Sequence, residues 1–374
     1  MIPVFRPSMD QKEIKAVSKV LLSGWIGLGP KTKEFESDFA KYIGVKYASG
    51  LNSATAALHL GLEALDVSGG EVITTPMTFV SSNHAIIYNK AIPVFCDIER
   101  DTLNIDTDKI EPLITKKTKA ILVVHYGGYP VDMDKVLKIA KKHKLKVVED
   151  VAHGCGGEYK GRKLGSIGDI GCFSFHAVKN LAAGDGGMVT TNDRKLYDRI
   201  TKMRWVGITK DTWSRELNDE RGYSWCYDVV DFGFKYHMND ITAAIGLVQL
   251  SKLKKANARR AEISKMYSQA FSKISEIQIP VIKPYMTKPA YHNYVIKCDK
   301  RDRLNEFLKK RGISTGIHYI PNNHYDIYKN FRGETPVARE VWKKLLTLPV
   351  YPTLKNSEVR FIIEEVKKCI THKG

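Results

Sequence analysis

Apolar residues recur at helical spacing in residues 10 to 22, at Ile14, Val17, Val20 and Leu21, so the chain opens on an amphipathic helix. The stretch Ser23-Gly24-Trp25-Ile26-Gly27-Leu28-Gly29-Pro30 is too rich in glycine to continue it. A second helical pattern begins near Thr32 and runs through Phe35, Phe39 and Tyr42. Tyr47-Ala48-Ser49 then leads through Gly50-Leu51-Asn52-Ser53 into an alanine- and leucine-rich helix from Ala54 to Leu65. From there strand and helix patterns alternate: strand Glu71 to Thr75, helix Val80 to Tyr88, strand Ile92 to Cys96, apolar run Ala120 to His125, helix Met133 to His143 and strand Lys146 to Asp150. Asp169 to Phe175 and Gly187 to Thr191 are short strands joined by a loop. Such alternation predicts a largely parallel central sheet covered by helices on both faces. Ligands of such sheets gather at the carboxyl ends of the strands. After Asp240 the pattern changes to a long helix, Ile241 to Met266, then strand-like Tyr294 to Lys297 and helices Asp302 to Arg311 and Val359 to Cys369. Pro280, Pro284 and Pro289 mark the approach to a smaller lobe.

Composition narrows the class. A chain of 374 residues, 43% hydrophobic and 27% charged, is a globular protein long enough for two packed lobes. No apolar run is long enough to span a membrane, and the first residues lack the pattern of a secretory signal, so a cytoplasmic location is expected. Cys96, Cys155, Cys172, Cys226, Cys298 and Cys369 show neither a CxxC pair nor metal-ligand spacing. They are expected to be reduced, buried and metal-free. The net charge of +18 raises the question of nucleic acid. Its lysines, however, are spread along the chain. The clusters Lys141 to Lys144 and Lys252 to Arg260 lie on helical patterns and read as solvated faces, and no nucleic-acid module accompanies them. A positive field that attracts a phosphate ester is the milder reading.

Chemistry concentrates at the predicted strand ends. An apolar strand ends in Ser174-Phe175-His176, Lys179 follows within one loop, and Gly184, Gly186 and Gly187 lead into the next strand. An amine so placed can form an imine with a carbonyl, provided burial or nearby charge lowers its pKa from about 10.4. Glu149 and Asp150 point to opposite faces of their strand, so only one can serve a site, and Asp150 lies nearer the carboxyl end. An aspartate there can hold a pyridine nitrogen protonated, making the ring an electron sink; alternatively it is a structural cap. Asn52-Ser53-Ala54-Thr55 opens a helix whose free N–H groups can bind a phosphate or simply carry an ordinary serine cap.

Together these elements resemble the DegT/DnrJ/EryC1/StrS family of sugar aminotransferases. The resemblance rests on Gly24-Trp25 with Gly29-Pro30, Asn52 to Leu58, Pro76-Met77-Thr78-Phe79-Val80, Glu149 to His153, Ser174 to Asn180, Gly184-Asp185-Gly186-Gly187, Met238-Asn239-Asp240 and Leu348-Pro349. It implies the fold type I aminotransferase architecture: a three-layer α/β/α large domain over residues 1–250 with a mostly parallel sheet, and a smaller α+β domain over 251–374. The N-terminal segment would pack with the small domain. It also implies pyridoxal 5'-phosphate as cofactor and a homodimer with shared active sites. Lys179 would carry the cofactor and move the proton, Asp150 would pair with its pyridine nitrogen, and Phe79 would stack on its ring. His153 would lie near its 3'-oxygen, while Ser53, the Ala54 backbone and Ser174 would hold its phosphate. Lys235, in a segment that reaches across the dimer in the family, stands where many relatives have asparagine, and His237 where they have arginine. Asp185 replaces the usual glutamate and Ala182-Ala183 the usual threonine pair. Lys179 stands where the family's dehydratases carry histidine, which disfavours that branch.

The implied substrates are a nucleotide-linked keto-sugar and L-glutamate as amino donor, for deoxyamino sugars of surface glycans such as lipopolysaccharide O-antigen. Trp205 to Ile208, Trp213, Trp225, Tyr227 and Phe234-Lys235-Tyr236 resemble members that aminate C4 of a 4-keto-6-deoxy sugar. Trp25, His318, Tyr319, His324 and Tyr325 resemble sugar-facing residues, although single histidines and aromatics are more often structural. A 3-keto sugar or ketone cyclitol is the alternative acceptor. A cofactor-bearing regulator without catalysis is the distant one, and intact Lys179 and Asp150 argue against it.

Overall fold

The structure, a computed structural model, describes residues 1–209 and 227–371, so Trp213, Trp225 and Cys226 lie outside the described residues. Helix α1 (Gln11–Ser23) is opened by an Asp10–Glu13 capping box, which satisfies two otherwise orphaned N–H groups. Helix α2 (Pro30–Ile43) has no side-chain cap of its own, because Gly29 occupies the cap position. Strand β1 (Tyr47–Leu51) leads to α3 (Ala54–Ala64), capped by Ser53. There follow β2 (Glu71–Thr74), α4 (Val80–Tyr88), β3 (Ile92–Phe95), β4 (Thr118–Val124), α5 (Met133–His143) and β5 (Lys146–Asp150). A small hairpin, β6 (Glu158–Tyr159) and β7 (Arg162–Lys163), precedes β8 (Ile170–Ser174), β9 (Gly187–Thr191) and α6 (Arg194–Met203). The rest comprises α7 (Asp240–Phe271), β10 (Tyr294–Lys297), α8 (Arg301–Lys310), α9 (Pro336–Val341), β11 (Leu345–Leu348) and α10 (Asn356–Thr371).

The seven-stranded sheet has the order β1-β9-β8-β5-β4-β2-β3, and only β9 runs against its neighbours. This is the α/β architecture expected from the alternating pattern. One apolar core holds Phe35, Phe39, Val147 and Phe173, and another holds Leu58, Leu60, Val148 and Ile170. Val147 and Val148 thus enter different cores, as alternation along a strand requires. A third core, including Ile263, Tyr267, Tyr294, Leu346 and Val359, lies between the C-terminal helices and the β10–β11 pair. The long helix α7 enters two of these cores, through Leu253 in the first and Ile263 in the third, so residue 250 lies inside a continuous helix. Ile2 bridges Ile313 and packs on the third core, tying the N-terminal segment to the C-terminal part of the chain.

Asp240 supplies the cap that α2 lacks. Its carboxylate accepts from the N–H groups of Gly29 (3.0 Å), Lys31 (3.0 Å) and Thr32 (2.9 Å) and from the Thr32 hydroxyl (2.7 Å). A buried carboxylate at a helix N-terminus is favoured by the dipole as well as by its hydrogen bonds. The Met238-Asn239-Asp240 motif therefore welds the start of α7 to the start of α2, while Asn239 caps α7 itself.

The 252–260 charge cluster is only in part the solvated face that its helical pattern suggests: Lys254 and Lys255 are exposed, but its two ends are not. Lys252 is half-buried and pairs with Asp10 (2.9 Å) and Glu13 (2.6 Å), and Arg260 is buried. Helix α7 packs against α1 on one side and the C-terminal lobe on another, which leaves only part of its circumference in water. The cysteines Cys96, Cys155, Cys172, Cys298 and Cys369 are free and buried. Among the described residues, no group of side chains could hold a metal ion and no helix is long and apolar enough to cross a membrane.

Candidate active site

The strand ends converge as the topology demands. Ser174 at the end of β8 pairs with Gly187 at the start of β9, which also pairs with Leu51 at the end of β1. Asp150 ends β5 beside them, and Ser53 bridges Gly186. A Cβ on Gly187 would meet the Ser53 carbonyl oxygen at 2.3 Å, so glycine is required for the helix start to come this close to the sheet. The result is a cavity of about 360 Å³ lined by Ser53, Ala54, Phe79, Asp150, His153, Ser174, Lys179, His318 and Tyr319 among others. Trp25, Lys235 and His324 do not line it in the single chain. The Trp25 ring folds over Gly29 and its Nε1 donates to the Leu28 carbonyl (3.1 Å). The Lys235 ammonium lies 3.3 Å from the Trp205 ring centroid, and His324 packs edge-on against Trp342.

Burial sets the electrostatics of this cavity. It pushes the Lys179 amine down to about 8, with the nearby Asp150 charge opposing the shift. Burial likewise pushes the Asp150 carboxyl above its usual range, while the Ser82 hydroxyl (2.7 Å), the Ala152 N–H (3.0 Å) and the Lys179 charge pull it back. Asp150 is thus a buried acid that still gains from a cation, and a ring nitrogen that takes a proton supplies one. His153 is held far below its ordinary pKa by burial, then by Lys179 and His318. His318 is lowered to about 4 by burial and by Lys179.

Glu149 takes the opposite fate from its neighbour. Its carboxylate faces away from the cavity and accepts from His125 Nε2 (3.1 Å) and from the N–H groups of Gly165 (3.0 Å), Ile167 (2.7 Å) and Gly168 (2.7 Å). Burial acts to raise its pKa, but these bonds outweigh it and hold the carboxyl below the usual range. It organises the loop before β8.

The residues fit pyridoxal 5'-phosphate. Phe79 occupies the residue before α4 and lines the cavity, yet it is 58% exposed, an aromatic face open to a planar ring. The Ser53 hydroxyl accepts from the Ala56 N–H (3.1 Å) at the start of α3, where first-turn N–H groups attract a phosphate. The buried Lys179 amine and the cation-seeking Asp150 complete the set. Ser82, which grips Asp150, has no sequence signature of its own, since a serine in the first turn of a helix is common. His176 and Thr78 also line the wall.

Comparison with known proteins agrees with this fit. The model of the DegT/DnrJ/EryC1/StrS aminotransferase family matches residues 7–367. The spore coat polysaccharide biosynthesis protein SpsC of Bacillus subtilis is 39% identical, over 99% of this chain and 97% of its own. The aminotransferase TlmJ from Streptoalloteichus hindustanus superposes with a TM-score of 0.92 at 34% identity, over 99% of this chain and 98% of that one. Helicobacter pylori PseC, an aminotransferase involved in the biosynthesis of pseudoaminic acid, does so with a TM-score of 0.90 at 31% identity, over 99% of both chains. Hence the chain belongs to the DegT/DnrJ/EryC1/StrS aminotransferase family and is a pyridoxal-phosphate-dependent sugar aminotransferase.

Proposed function

We propose that this enzyme moves an amino group from L-glutamate to C4 of a nucleotide-linked 4-keto-6-deoxy sugar, making a deoxyamino sugar for a surface glycan. The observation that carries the chemistry is that the half-buried Lys179 lines the same cavity as the buried Asp150, where desolvation lowers its amine to about 8. The cofactor, when bound, supplies the electron sink that acidifies the amino-bearing carbon. Lys179 holds it and then moves the proton, because an amine with a pKa near operating pH can both take and return one. Asp150 pairs with the ring nitrogen, Phe79 covers the ring, His153 stands at the 3'-oxygen side, and Ser53, the Ala54 N–H and Ser174 hold the phosphate.

The sugar assignment is supported by the resemblance of Trp205 to Ile208 and of Phe234-Lys235-Tyr236 to C4-aminating members. The role of SpsC in a spore coat polysaccharide is of the same kind. Trp25, His318, Tyr319 and His324 are the proposed sugar contacts. Two copies share their sites, with Lys235 reaching the neighbour's phosphate as a point charge. The exposed Val229, Val230 and Phe232 close to Lys235 form an apolar stretch that a second copy covers. The large domain is assigned to 1–250 and the small one to 251–374, and the enzyme works in the cytoplasm.

A survey of nucleotide-sugar acceptors with L-glutamate, the aminated product identified by NMR, tests the assignment. A 4-amino product is expected. Faster amination of 3-keto sugars or of a ketone cyclitol replaces it with the alternative. Asp150→Asn is expected to keep some cofactor and slow the glutamate half-reaction by about 100-fold, because the neutral amide no longer holds the ring nitrogen protonated. An unchanged single-turnover rate removes Asp150 from that role.

A further inference from the structure

Two histidines at the back of the cavity have their protons placed by neighbours that leave no choice. His292 is 2% exposed and does not line the cavity. Its Nδ1 lies 3.0 Å from Asn180 Oδ1, and Asn180 directly follows Lys179. The Asn180 amide cannot be flipped: its Nδ2 donates to the Ala290 carbonyl (2.7 Å) and to Asn257 Oδ1 (2.8 Å), and a carbonyl only accepts. Asn257 is fixed in turn by donating to the Cys155 carbonyl (2.9 Å). Oδ1 of Asn180 therefore faces His292, so His292 Nδ1 carries a proton and donates it.

His153 is fixed the other way. Its Nδ1 lies 3.3 Å from the Gly127 N–H, an obligatory donor, so that nitrogen must accept. In the neutral ring the proton then sits on Nε2, 3.0 Å from the Tyr319 oxygen. Nε2 donates to that oxygen, and the Tyr319 hydroxyl hydrogen is left to point elsewhere. Tyr319 lines the cavity, so a donor is free to face it. The two imidazoles stack with centroids 4.4 Å apart, and Phe5 stacks on His292 at 5.1 Å. Burial opposes charging of His292, and so do His153, Lys179, Arg260 and His318.

We propose that His292 is a positioning residue: through Asn180 it holds the loop that carries Lys179, and through its stack on His153 it holds the ring that makes Tyr319 a hydrogen-bond donor to the bound molecule. The proposal rests on Lys179 as the cofactor-bearing amine. It assigns Tyr319 a donor role toward an oxygen in the cavity, never that of a base. A residue of the second lobe's approach thereby sets both the reactive amine and the opposite wall. The neutral, fixed tautomers keep the wall from adding a cation that would compete with the ring nitrogen for Asp150.

The test uses the cofactor-loaded protein and the cofactor-free protein, both labelled with 15N-histidine, with long-range proton–nitrogen correlation spectra. A neutral Nδ1–H pattern that vanishes in His292→Phe is expected, together with a neutral Nε2–H pattern that vanishes in His153→Gln. Neither pattern should titrate between about pH 6 and 8. The opposite tautomer at either residue, or a charged ring, overturns the proposal whatever the sugar substrate is. In the glutamate half-reaction, His292→Phe is expected to lower the single-turnover rate about tenfold, because the amine loses its register. His292→Asn, whose amide N–H can replace the Nδ1 donor, should stay within about threefold. Equal losses in the two variants, or none in His292→Phe, refute the positioning role. A parent enzyme that does not turn over glutamate at all refutes the amino donor proposed above, while the spectra still decide the two tautomers.

Discussion

Lys179→Ala is expected to lose turnover by about 1,000-fold or more, together with the visible absorbance of the lysine-bound cofactor. The magnitude follows from losing both covalent attachment and a positioned acid–base group, of which the second alone is worth about 100- to 10,000-fold. The structure adds a second expectation that separates loss of chemistry from loss of fold. The Lys179 amine is buried among cavity residues and shifted down by desolvation, which Asp150 only partly offsets. An ammonium in that position costs free energy that the protein alone does not recover. Cofactor-free Lys179→Ala should therefore melt at or above the temperature of the cofactor-free parent. Turnover at the parent rate, measured with L-glutamate and any accepted keto-sugar, excludes Lys179 from the reaction. The sign of the pH dependence also follows. An amine with a lowered pKa is neutral, and so nucleophilic, above about 8 and is progressively protonated below it, so capture of the aldehyde cofactor by the empty parent should quicken as pH rises through that value.

Glu149→Ala is expected to have the largest effect on stability. The substitution strips a common acceptor from three backbone N–H groups and from the buried His125. Removing one partner of such a buried charged network costs about 3–5 kcal/mol, a large share of the roughly 5–15 kcal/mol that holds a folded protein together. A fall in the urea midpoint checks this. A midpoint within error of the parent would mean that the loop before β8 stands without Glu149. Because its carboxyl is held below the usual range, Glu149 contributes fully above the ordinary glutamate pKa of 4.5, and that contribution fades as pH falls through the folded value. The alanine variant should therefore show a weaker acid dependence than the parent. Whatever fraction remains folded should keep its cofactor absorbance, since Glu149 faces away from the cavity.

Two adjoining carboxylates of β5 thus face opposite ways, Glu149 toward the loop before β8 and Asp150 toward the cavity. Alternation along a strand is enough to put them on opposite faces, and the strand end singles out Asp150. The same local rules give α4, α5, β5, β9 and β10 at their observed limits. Helix α6 escapes the strand–helix pattern although its signals are present: Asp193 is a cap, and Leu196, Ile200 and Met203 follow at helical spacing. Strand β11 is four residues long, and only its Leu348-Pro349 end carries a family motif. It is a strand because β10 pairs with it, and pairing is a property of two distant segments.

By itself the sequence determined the periodic elements, the alternating order that makes the sheet parallel, and the lysine, aspartate and serine that the family motifs mark. Those follow from local spacing and from residue types whose chemistry is intrinsic. Only the tertiary structure decided which charges are buried and what faces them. It put Arg260 inside, made Asp240 the cap of a helix some two hundred residues earlier, left Trp25, Lys235 and His324 off the single chain's cavity, and set His292 behind Lys179 through Asn180. Desolvation and hydrogen-bond direction depend on every neighbour in space, and those neighbours come from segments far apart along the chain.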